Sequence, residues 1–313
     1  MIKPNLFLIG GPKTGSTSLH YYLSQHPQVF MTPDKEPHFF SFDFIKESDA
    51  FHGRQKHFRY RTIEEYETCF KEYKNEKIIG EASTTYLFSH VAAEEIHKYN
   101  PAAKIIVILR EPVELLHSWY HYEHFRSHET APGFLEAVDL ETKRRADISL
   151  VPKNMTFPSC AYYSEIADHY SNLKRYFDLF DRKNIMVILY DEFKKDTKGY
   201  FRKILQFLEV ESDFVPDFSM LNTYRKPKAG KLKYWMDHYI TDRVRLGLFK
   251  YKGKFPVRMV GKIYYWLFTK ASDKQNIDDR DLGKIRKSYT EVVKKTGELI
   301  GVDLITYWKY NQD

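Results

Sequence analysis

The feature that most restricts the fold of this chain is an apolar run that leads directly into a glycine-rich loop. Leu6–Ile9 has the composition of a buried strand, residues 10–17 read GGPKTGST, and a helical pattern occupies Ser16–Gln25. Glycines let the backbone curl, so that consecutive N–H groups converge on one anion. The N-terminus of a helix adds unpaired N–H donors and the positive end of its dipole. The segment therefore predicts a phosphate-binding loop between a strand and a helix.

The side chains of this loop strengthen that prediction. Lys13 adds a full positive charge, and the hydroxyls of Ser16 and Thr17 add hydrogen-bond donors. We expect the phosphate contacts to come from Lys13, Thr14, Gly15, Ser16 and Thr17. The alternative is a plain glycine-rich turn, which the coincidence of a lysine, two hydroxyls and three glycines disfavours.

Three more apolar runs recur along the chain, and helical patterns separate them. These runs are Lys77–Gly80, Lys104–Leu109 and Asn184–Tyr190. Continuous apolar strands that alternate with helices indicate a parallel sheet that is buried on both faces. We therefore predict an α/β fold, with an open parallel sheet flanked by helices.

The last third of the chain has a different pattern. After about Phe214, a basic and aromatic stretch over residues 224–270 precedes a helical run at Asp281–Ile300. The chain contains no internal repeat or low-complexity tract that would mark a second unit. We predict one domain over residues 1–313, in which residues 214–313 form a basic and aromatic elaboration that covers the ligand sites.

The order of residues in the loop separates it from the Walker A loop of kinases and NTPases. That motif is GxxxxGK[ST], in which the lysine follows the second glycine. Here Gly10 and Gly15 have the same spacing, but Ser16 occupies the lysine position and the lysine lies earlier, at Lys13. The stretch PKTGSTSL resembles the 5′-phosphosulfate loop of sulfotransferases that use 3′-phosphoadenosine 5′-phosphosulfate (PAPS). This resemblance implies a P-loop-like sulfotransferase fold, PAPS as the sulfuryl donor, and a hydroxyl or an amine as the acceptor.

A second segment extends the resemblance. The third apolar run ends at Arg110, a helical pattern starts at Pro112, and Ser118 lies about two turns into it. Arg110 and Ser118 resemble the pair that binds the 3′-phosphate in this family. An arginine offers a fork of donors to a phosphate dianion, and a serine hydroxyl adds one more. The family often has an arginine a few residues into this helix, whereas residues 113–116 read VELL here.

Other resemblances are less specific. The segments KEPHFF at 35–40, GEASTTYLF at 80–88, ILYDEF at 188–193 and LIGVDLITYW at 299–308 all resemble parts of glycan-type and bacterial sulfotransferases. A basic loop resembles the family's clamp over the 3′-phosphate, and its candidate residues are Arg225, Lys228, Gly230 and Lys231. A solvated basic turn is the alternative for that loop. Tyr163 is the candidate for adenine binding, with a place in the core as its alternative.

Transfer of a sulfuryl group needs an acceptor that loses its proton, in-line placement and stabilisation of the leaving phosphate. Lys13 is the candidate for the last of these tasks. Glu81 follows an apolar strand, and the segment GEAST resembles the one that carries a catalytic glutamate in glycan-type members, so we expect Glu81 to be the general base. His38 and Glu36 are the alternatives, and Lys35 is a candidate assistant to Lys13.

No metal is expected at this site, because transfer from PAPS requires none. Histidines at positions 117, 121, 124 and 128 share one helical face by their spacing. They could ligate a metal, but we interpret them as a solvated or acceptor-facing surface. The two cysteines, Cys69 and Cys160, have no zinc-type spacing and are too few for a disulfide framework.

The overall charge of +7 favours an anionic partner. Two rival functions stay open on the residues alone. One is a P-loop kinase or NTPase, in which Asp191 and Glu192 would follow a strand as Walker B acids do. The other is a nucleic-acid or membrane-surface module built on residues 224–270, where aromatic side chains interleave with basic ones.

The acceptor is open as well. We expect a small-molecule or carrier-bound acceptor, such as a glycan, a lipid or a small natural product, and we expect no nucleic acid. No apolar run is long enough to span a membrane, and the first strand begins close to the start of the sequence given. A cytoplasmic location is therefore the expectation, with peripheral membrane contact left open.

Overall fold

Each of the four predicted apolar runs overlaps a strand in the computed structural model of this chain, which describes residues 3–219, 225–227, 269–271 and 279–311. Side chains are described for residues 3–219 and 283–311. The strands from those runs are β1 (Leu6–Leu8), β3 (Ile78–Ala82), β4 (Lys104–Leu109) and β5 (Ile185–Leu189). A further strand that we did not predict, β2 (Val29–Met31), is only three residues long.

These five strands form one parallel sheet in the order β2-β3-β1-β4-β5. In the central strand, Leu6 pairs with Gly80 on one side and with Lys104 on the other. All three residues of β1 are buried, which fits its continuous apolar composition. The predicted α/β class and the open parallel sheet are confirmed.

The helical patterns read from the sequence each overlap observed helices. Apolar residues at three- and four-residue spacing over Tyr163–Phe180 predict one helix there, but it is broken at Asp168, whose side chain accepts a hydrogen bond from the backbone N–H of Ser171 and caps a new helix. The helices are α1 (Ser16–Leu23), α2 (Phe42–His52), α3 (Ile63–Glu67), α4 (Ala92–Tyr99), α5 (Pro112–Phe125), α6 (Phe134–Asp139), α7 (Glu141–Ala146), α8 (Tyr163–Ala167), α9 (His169–Leu179), α10 (Tyr190–Lys195), α11 (Thr197–Phe207), α12 (Asp279–Ile300) and α13 (Leu304–Tyr307).

Two hydrophobic cores cover the two faces of the sheet. Alternate residues of β1 belong to different cores: Phe7 packs with side chains of α4 and α9, whereas Leu8 packs with side chains of α1 and α11. Val293 of α12 belongs to the same core as Phe7. The C-terminal helix thus packs with the sheet rather than apart from it. The extent of the domain, from 1 to 313, stays a prediction.

The remaining described strands lie in the C-terminal elaboration. β6 (Arg225–Pro227) and β7 (Thr269–Ala271) pair antiparallel, with Arg225 opposite Ala271. Most of the basic and aromatic stretch over residues 224–270, on which the nucleic-acid and membrane alternatives depend, lies outside the described residues.

The strand order predicts a crevice at the carboxyl ends of the strands. After β1 the chain proceeds to β2 and β3 on one side, and it then crosses to β4 and β5 on the other. In open α/β sheets, ligands bind outside the carboxyl ends of the strands where the connections diverge in this way. The loops after β1 and β4, which contain Lys13 and Arg110, both open at this point.

Candidate active site

The loop after β1 has the geometry of an anion cradle. Lys13 and Gly15 both adopt the left-handed conformation, with φ of 64° and 88°. α1 begins at Ser16 with no side chain capping its N-terminus. Its first N–H groups therefore keep their hydrogen-bonding capacity for an anion, as the sequence predicted.

Two glycines are required by this geometry. A Cβ atom on Gly10 would lie 2.9 Å from the backbone nitrogen of Ile108, so only glycine lets the end of β1 approach β4 so closely. Gly15 has a φ of 88°, in the left-handed region that glycine adopts without strain.

The hydroxyl side chains of the loop differ in their surroundings. Thr14 is fully buried, and its hydroxyl donates a hydrogen bond of 2.7 Å to the carbonyl of Gly11. Its hydroxyl thus holds the loop, and its contribution to phosphate binding would come from the backbone. Ser16 is also buried, at the first position of α1, whereas Thr17 is half-buried.

Arg110 joins the loop to the end of β4. One terminal nitrogen donates to the carbonyl oxygen of Lys13 at 3.2 Å, and the other forms an ion pair with Glu114 at 2.6 Å. The Nε atom is buried and has no hydrogen-bond partner among the described residues. Ser118 lies two steps of four residues further along α5 and is half-buried. The predicted donor-binding residues of β1 and β4 are thus brought together.

A second acid–base group lies between β2 and β3. One carboxylate oxygen of Glu36 forms an ion pair with the Lys35 ammonium at 2.6 Å, and the other lies 3.6 Å from Nε2 of His38. The backbone N–H of Glu36 donates to the carbonyl of Ala82, at the end of β3. Both Glu36 and His38 have positive φ, at 64° and 57°. Strained backbone of this kind clusters at functional sites.

Electrostatics connect this group with the loop. Desolvation, followed by the charge of Arg110, lowers the pKa of Lys13, while Glu36 acts in the opposite direction. Desolvation alone would raise the pKa of Glu36, but His38 and Lys35 outweigh it and hold that pKa well below its usual range. Glu36 is therefore ionised near neutral pH, and its side chain is 38% exposed.

Glu81 lies within β3 rather than directly after it. Its side chain is completely buried, because β3 points it into the aromatic core under the sheet edge. One carboxylate oxygen accepts hydrogen bonds from the hydroxyls of Tyr66 and Tyr86, both at 2.8 Å, and the other accepts from Ser83 at 2.7 Å. Burial raises the pKa of Glu81 to about 7, although the three hydroxyls partly oppose that rise. A base role for Glu81 implies a pKa that is raised through burial or a charged neighbour, and burial does raise it; the base role itself stays a prediction.

Tyr163 is buried rather than open to a ligand. Its hydroxyl donates a hydrogen bond of 2.9 Å to Glu129, which also forms a two-pronged ion pair with the buried Arg144. This arrangement agrees with the alternative of a core position, and adenine binding stays a prediction. Arg225 lies in β6, where only its backbone is described, and Lys228, Gly230 and Lys231 lie outside the described residues.

The histidines at positions 117, 121, 124 and 128 do not form one solvated surface, because only His124 is exposed; an acceptor-facing surface stays a prediction. His117 and His128 are buried, and His121 lies in contact with His117, with 2.9 Å between their Nε2 atoms. His128 pairs with the buried Glu123 at 2.9 Å. Within the part of the chain that the structure describes, no group of three or more histidine, cysteine or acidic side chains is arranged to hold a metal ion.

Two residues of this site escaped the sequence analysis. The ammonium of Lys13 lies 4.6 Å from the centre of the Tyr122 ring, and the guanidinium of Arg126 lies 5.2 Å from the same ring. The signal was the spacing, since Tyr122 and Arg126 follow Ser118 at steps of four and must share its helical face.

Comparison with known proteins identifies relatives of one kind. Carbohydrate sulfotransferase 15 of Homo sapiens is 26% identical, with a match that covers 66% of this chain and 44% of that protein. Bifunctional heparan sulfate N-deacetylase/N-sulfotransferase 4 of Mus musculus is 25% identical over 66% of this chain and 22% of that protein. Membrane-associated sulfotransferase kil1 of Dictyostelium discoideum is 34% identical over 38% of this chain and 23% of that protein. This chain therefore spans less than half the length of these relatives.

A solved sulfotransferase structure from Alicyclobacillus acidocaldarius superposes with a TM-score of 0.71 and 25% identity, over 99% of this chain and all of that one. Among the described helices, none is both long enough and apolar enough to cross a membrane. The family profile described as the sulfotransferase domain matches residues 3–275. That profile accounts for most of the 313 residues, and the chain belongs to the sulfotransferase family.

Proposed function

We propose that this protein transfers a sulfuryl group from PAPS to a hydroxyl or an amine of a glycan. The observation that carries this proposal is the convergence of Lys13, the uncapped N-terminus of α1 and Arg110 at the crevice between β1 and β4. Two separate groups of donors suit a nucleotide with anionic groups at both its 5′ and 3′ positions. The glycan acceptor is inferred from the names of the relatives, which include a carbohydrate and a heparan sulfate enzyme.

The donor would bind across the two loops. The backbone N–H groups at the start of α1, with Lys13, would hold the 5′-phosphosulfate, as helix N-termini hold phosphates in general. Arg110 and Ser118 would hold the 3′-phosphate. The buried Nε of Arg110, which has no partner among the described residues, supports this assignment, because buried donors are rarely left unpaired.

Glu36 is our choice for the general base, ahead of Glu81. A base must reach the acceptor proton, and Glu36 is partly exposed beside Lys13, whereas Glu81 is enclosed by three hydroxyls. Lys35 now neutralises Glu36. Bound anionic donor would compete for Lys35, which would raise the pKa of Glu36 and make it a stronger base. His38 would orient this carboxylate, because its Nδ1 is fixed by a 2.8 Å hydrogen bond to Thr85.

The donor assignment is tested by thermal shift. The product nucleotide with 3′- and 5′-phosphates (PAP) should raise the melting temperature by several degrees, since a hundredfold excess over Kd contributes about 2.7 kcal/mol. AMP, which lacks the 3′-phosphate, should do much less. Equal stabilisation by PAP and AMP would contradict the PAPS assignment, and stronger stabilisation by ATP with magnesium would favour the kinase alternative.

The acceptor assignment needs a transfer assay. Radiolabelled PAPS should transfer label to desulfated polysaccharides, with one series that presents only hydroxyls and one that presents free amino sugars. An Arg110→Ala protein serves as the control for transfer that depends on the donor site. Label on lipid or small phenolic acceptors, with none on polysaccharides, would move the acceptor to another class.

A further inference from the structure

The candidate site continues along α5 beyond the residues used so far. Arg110 precedes this helix, and Glu114, Ser118, Tyr122 and Arg126 follow at steps of four residues. Side chains four residues apart lie on the same helical face. Each step of four rotates the side-chain direction by about 40°, so Tyr122 and Arg126 lie about one and two turns beyond Ser118 and shift gradually around the helix.

Tyr122 has two positive charges close to its ring. The ammonium of Lys13 lies 4.6 Å from the centre of its ring, and the guanidinium of Arg126 lies 5.2 Å from that centre. Arg126 also donates a hydrogen bond of 3.4 Å to the Tyr122 hydroxyl. A cation over an aromatic ring is attracted to it, but an anion in the same place would attract Lys13 more strongly.

A buried carboxylate, that of Glu123, holds Arg126 in position. The buried Glu123 lies 3.6 Å from its Nη1 atom, and the other Glu123 oxygen binds His128. Desolvation would lower the pKa of Arg126, but Tyr122 and Glu123 outweigh it and raise that pKa. The side chain is still 28% exposed, so a ligand can reach it.

Glu36 marks the acceptor side of this arrangement. Its charge acts to raise the pKa of Lys13 and that of Arg126, so the three side chains are close enough to interact electrostatically. A sulfuryl group that binds both Lys13 and Arg126 would then be near the proposed base, as attack by the acceptor requires.

From this geometry we propose that Tyr122 and Arg126 form the binding subsite for the transferring sulfuryl group. This inference rests on the proposed function, because it takes PAPS as the donor. The Tyr122 hydroxyl and the Arg126 guanidinium donate hydrogen bonds to the non-bridging sulfuryl oxygens. Lys13 leaves the Tyr122 ring and pairs with the bridging oxygen of the 5′-phosphate.

The reaction then balances within the site. The acceptor gives its proton to the Glu36 carboxylate as its oxygen or nitrogen forms a bond to sulfur. The bond between sulfur and the 5′-phosphate oxygen breaks, and its electron pair stays on that oxygen, where Lys13 stabilises the charge. Tyr122 and Arg126 hold the three non-bridging oxygens, which remain on the sulfur throughout.

The test compares two ligands that differ only by the sulfuryl group. PAPS carries it and PAP does not, so the ratio of their affinities isolates the contacts of this group. We expect Arg126→Ala to lower the affinity for PAPS about tenfold to hundredfold, the range for a lost hydrogen bond to a charged group. The Tyr122→Phe protein keeps the ring beside Lys13 and should lose about threefold to tenfold. In both proteins, affinity for PAP should stay within about twofold of wild type.

Two further variants control for structure. Arg126→Lys keeps the charge and should restore part of the PAPS affinity. Arg182→Ala removes a different arginine from an aromatic ring, since Arg182 lies 5.0 Å from the ring of Phe177 just before β5, at the opposite edge of the sheet. It should change neither affinity.

The outcomes separate this inference from the proposed function. If wild-type protein fails to bind PAP, the proposed donor is wrong. If wild type binds PAP but the Arg126→Ala protein loses affinity for PAP and PAPS equally, the subsite is overturned, because its residues then act on the nucleotide or on the loop. An unchanged ratio in Arg126→Ala and Tyr122→Phe, with both proteins folded, overturns it as well. A selective loss for PAPS supports it.

Discussion

Two glutamates on adjacent segments of this molecule have opposite surroundings. Glu36 is partly exposed at the carboxyl edge of the sheet, and Lys35 and His38 lie against its oxygens. Glu81 lies in the core, with three hydroxyls as its partners and no cation in contact with it among the described side chains. Cations hold the pKa of Glu36 low, and burial raises that of Glu81 to about 7.

The difference follows from what each region can tolerate. A buried carboxylate without a positive partner is costly to ionise, so Glu81 keeps its proton more readily than an exposed acid. The exposed region around Lys13, Glu36 and His38, which we call the open region, instead contains several like charges and strained backbone, since all three residues have positive φ. Such features lower stability unless their surroundings enforce them.

The buried region around Glu81, which we call the closed region, supports the exposed segment that contains Glu36 and His38. The hydroxyl of Ser83 donates to Glu81 and accepts a hydrogen bond of 3.0 Å from the backbone N–H of His38. The segment that contains Glu36 and His38 is thereby tied to the buried carboxylate. We infer that Glu81 positions this segment, while Glu36 performs the proton transfer.

The largest effect should come from Glu36→Gln. Loss of a general base typically lowers turnover by about 10²–10⁴-fold. Affinity for PAP should hold or rise, because a negative charge near the phosphate site disappears. Turnover and PAP affinity are measured in the same preparation. The assignment of Glu36 as the base is contradicted if Glu81→Gln, rather than Glu36→Gln, shows this loss of turnover in a protein of normal stability.

Arg110→Ala should have the next largest effect, because it removes the guanidinium that we assign to the 3′-phosphate. Loss of one side of a charged hydrogen bond costs about 2–4 kcal/mol of binding free energy, which is about thirtyfold to a thousandfold in Kd. Titration calorimetry with PAP measures it. Affinity for AMP, which lacks the 3′-phosphate, should be nearly equal in the two proteins. A large loss for AMP would mean that Arg110 instead supports the loop through the Lys13 carbonyl.

Glu81→Leu should destabilise the fold and leave donor binding nearly unchanged. Leucine leaves the buried hydroxyls of Tyr66, Tyr86 and Ser83 without their acceptor. Each unpaired hydroxyl costs about 1–3 kcal/mol of stability, and part of this cost is recovered where the hydroxyl rotates to another acceptor. We expect about 3 kcal/mol of lost stability, seen as a lower melting temperature and denaturant midpoint. Affinity for PAP at low temperature should stay near wild type. A stable Leu protein would show that the hydroxyls have other partners.

Much of the fold could be predicted because the determining signals are local. Continuous apolar runs predicted β1, β3, β4 and β5, and glycine spacing predicted the loop at residues 10–17. β2 was missed because three residues carry too little pattern. The predicted helix over 163–180 missed a break that a single cap at Asp168 produces.

The site could be predicted only where one segment carries the whole signal. Lys13 and Arg110 lie at strand ends, and topology brings such ends together. The surroundings of Glu81 depend on partners from other segments, such as Tyr66 and Ser83, which no local pattern reveals. Tyr122 was missed for a similar reason, because an aromatic residue on a helix usually belongs to the core.

The smallest predicted effect is a difference in pH dependence between the two carboxylates. The pKa of Glu81 is raised from 4.5 to about 7, so between these values the folded protein holds a proton that the unfolded chain has released. Its contribution to stability is fully present below about pH 4.5 and is lost as the pH rises through 7. Glutamine mimics the protonated acid, because its carbonyl can accept from the tyrosines while its amide donates to Ser83.

Relative to Glu81→Gln, the wild-type protein should therefore lose about 1–3 kcal/mol of stability between pH 5 and pH 8. Urea unfolding of both proteins across this range measures the difference, and subtraction cancels every titration that the two share. Glu36 supplies the opposite sign: its lowered pKa stabilises the fold above its ordinary pKa, and that stability is lost as the pH falls through the lowered value. Wild type should thus be more stable than Glu36→Gln above the ordinary pKa of a glutamate, and the two proteins should converge only on the acid side. If both differences have the same sign, the contrast between the open and closed carboxylates is wrong, and Glu81 regains its claim to be the ionised base.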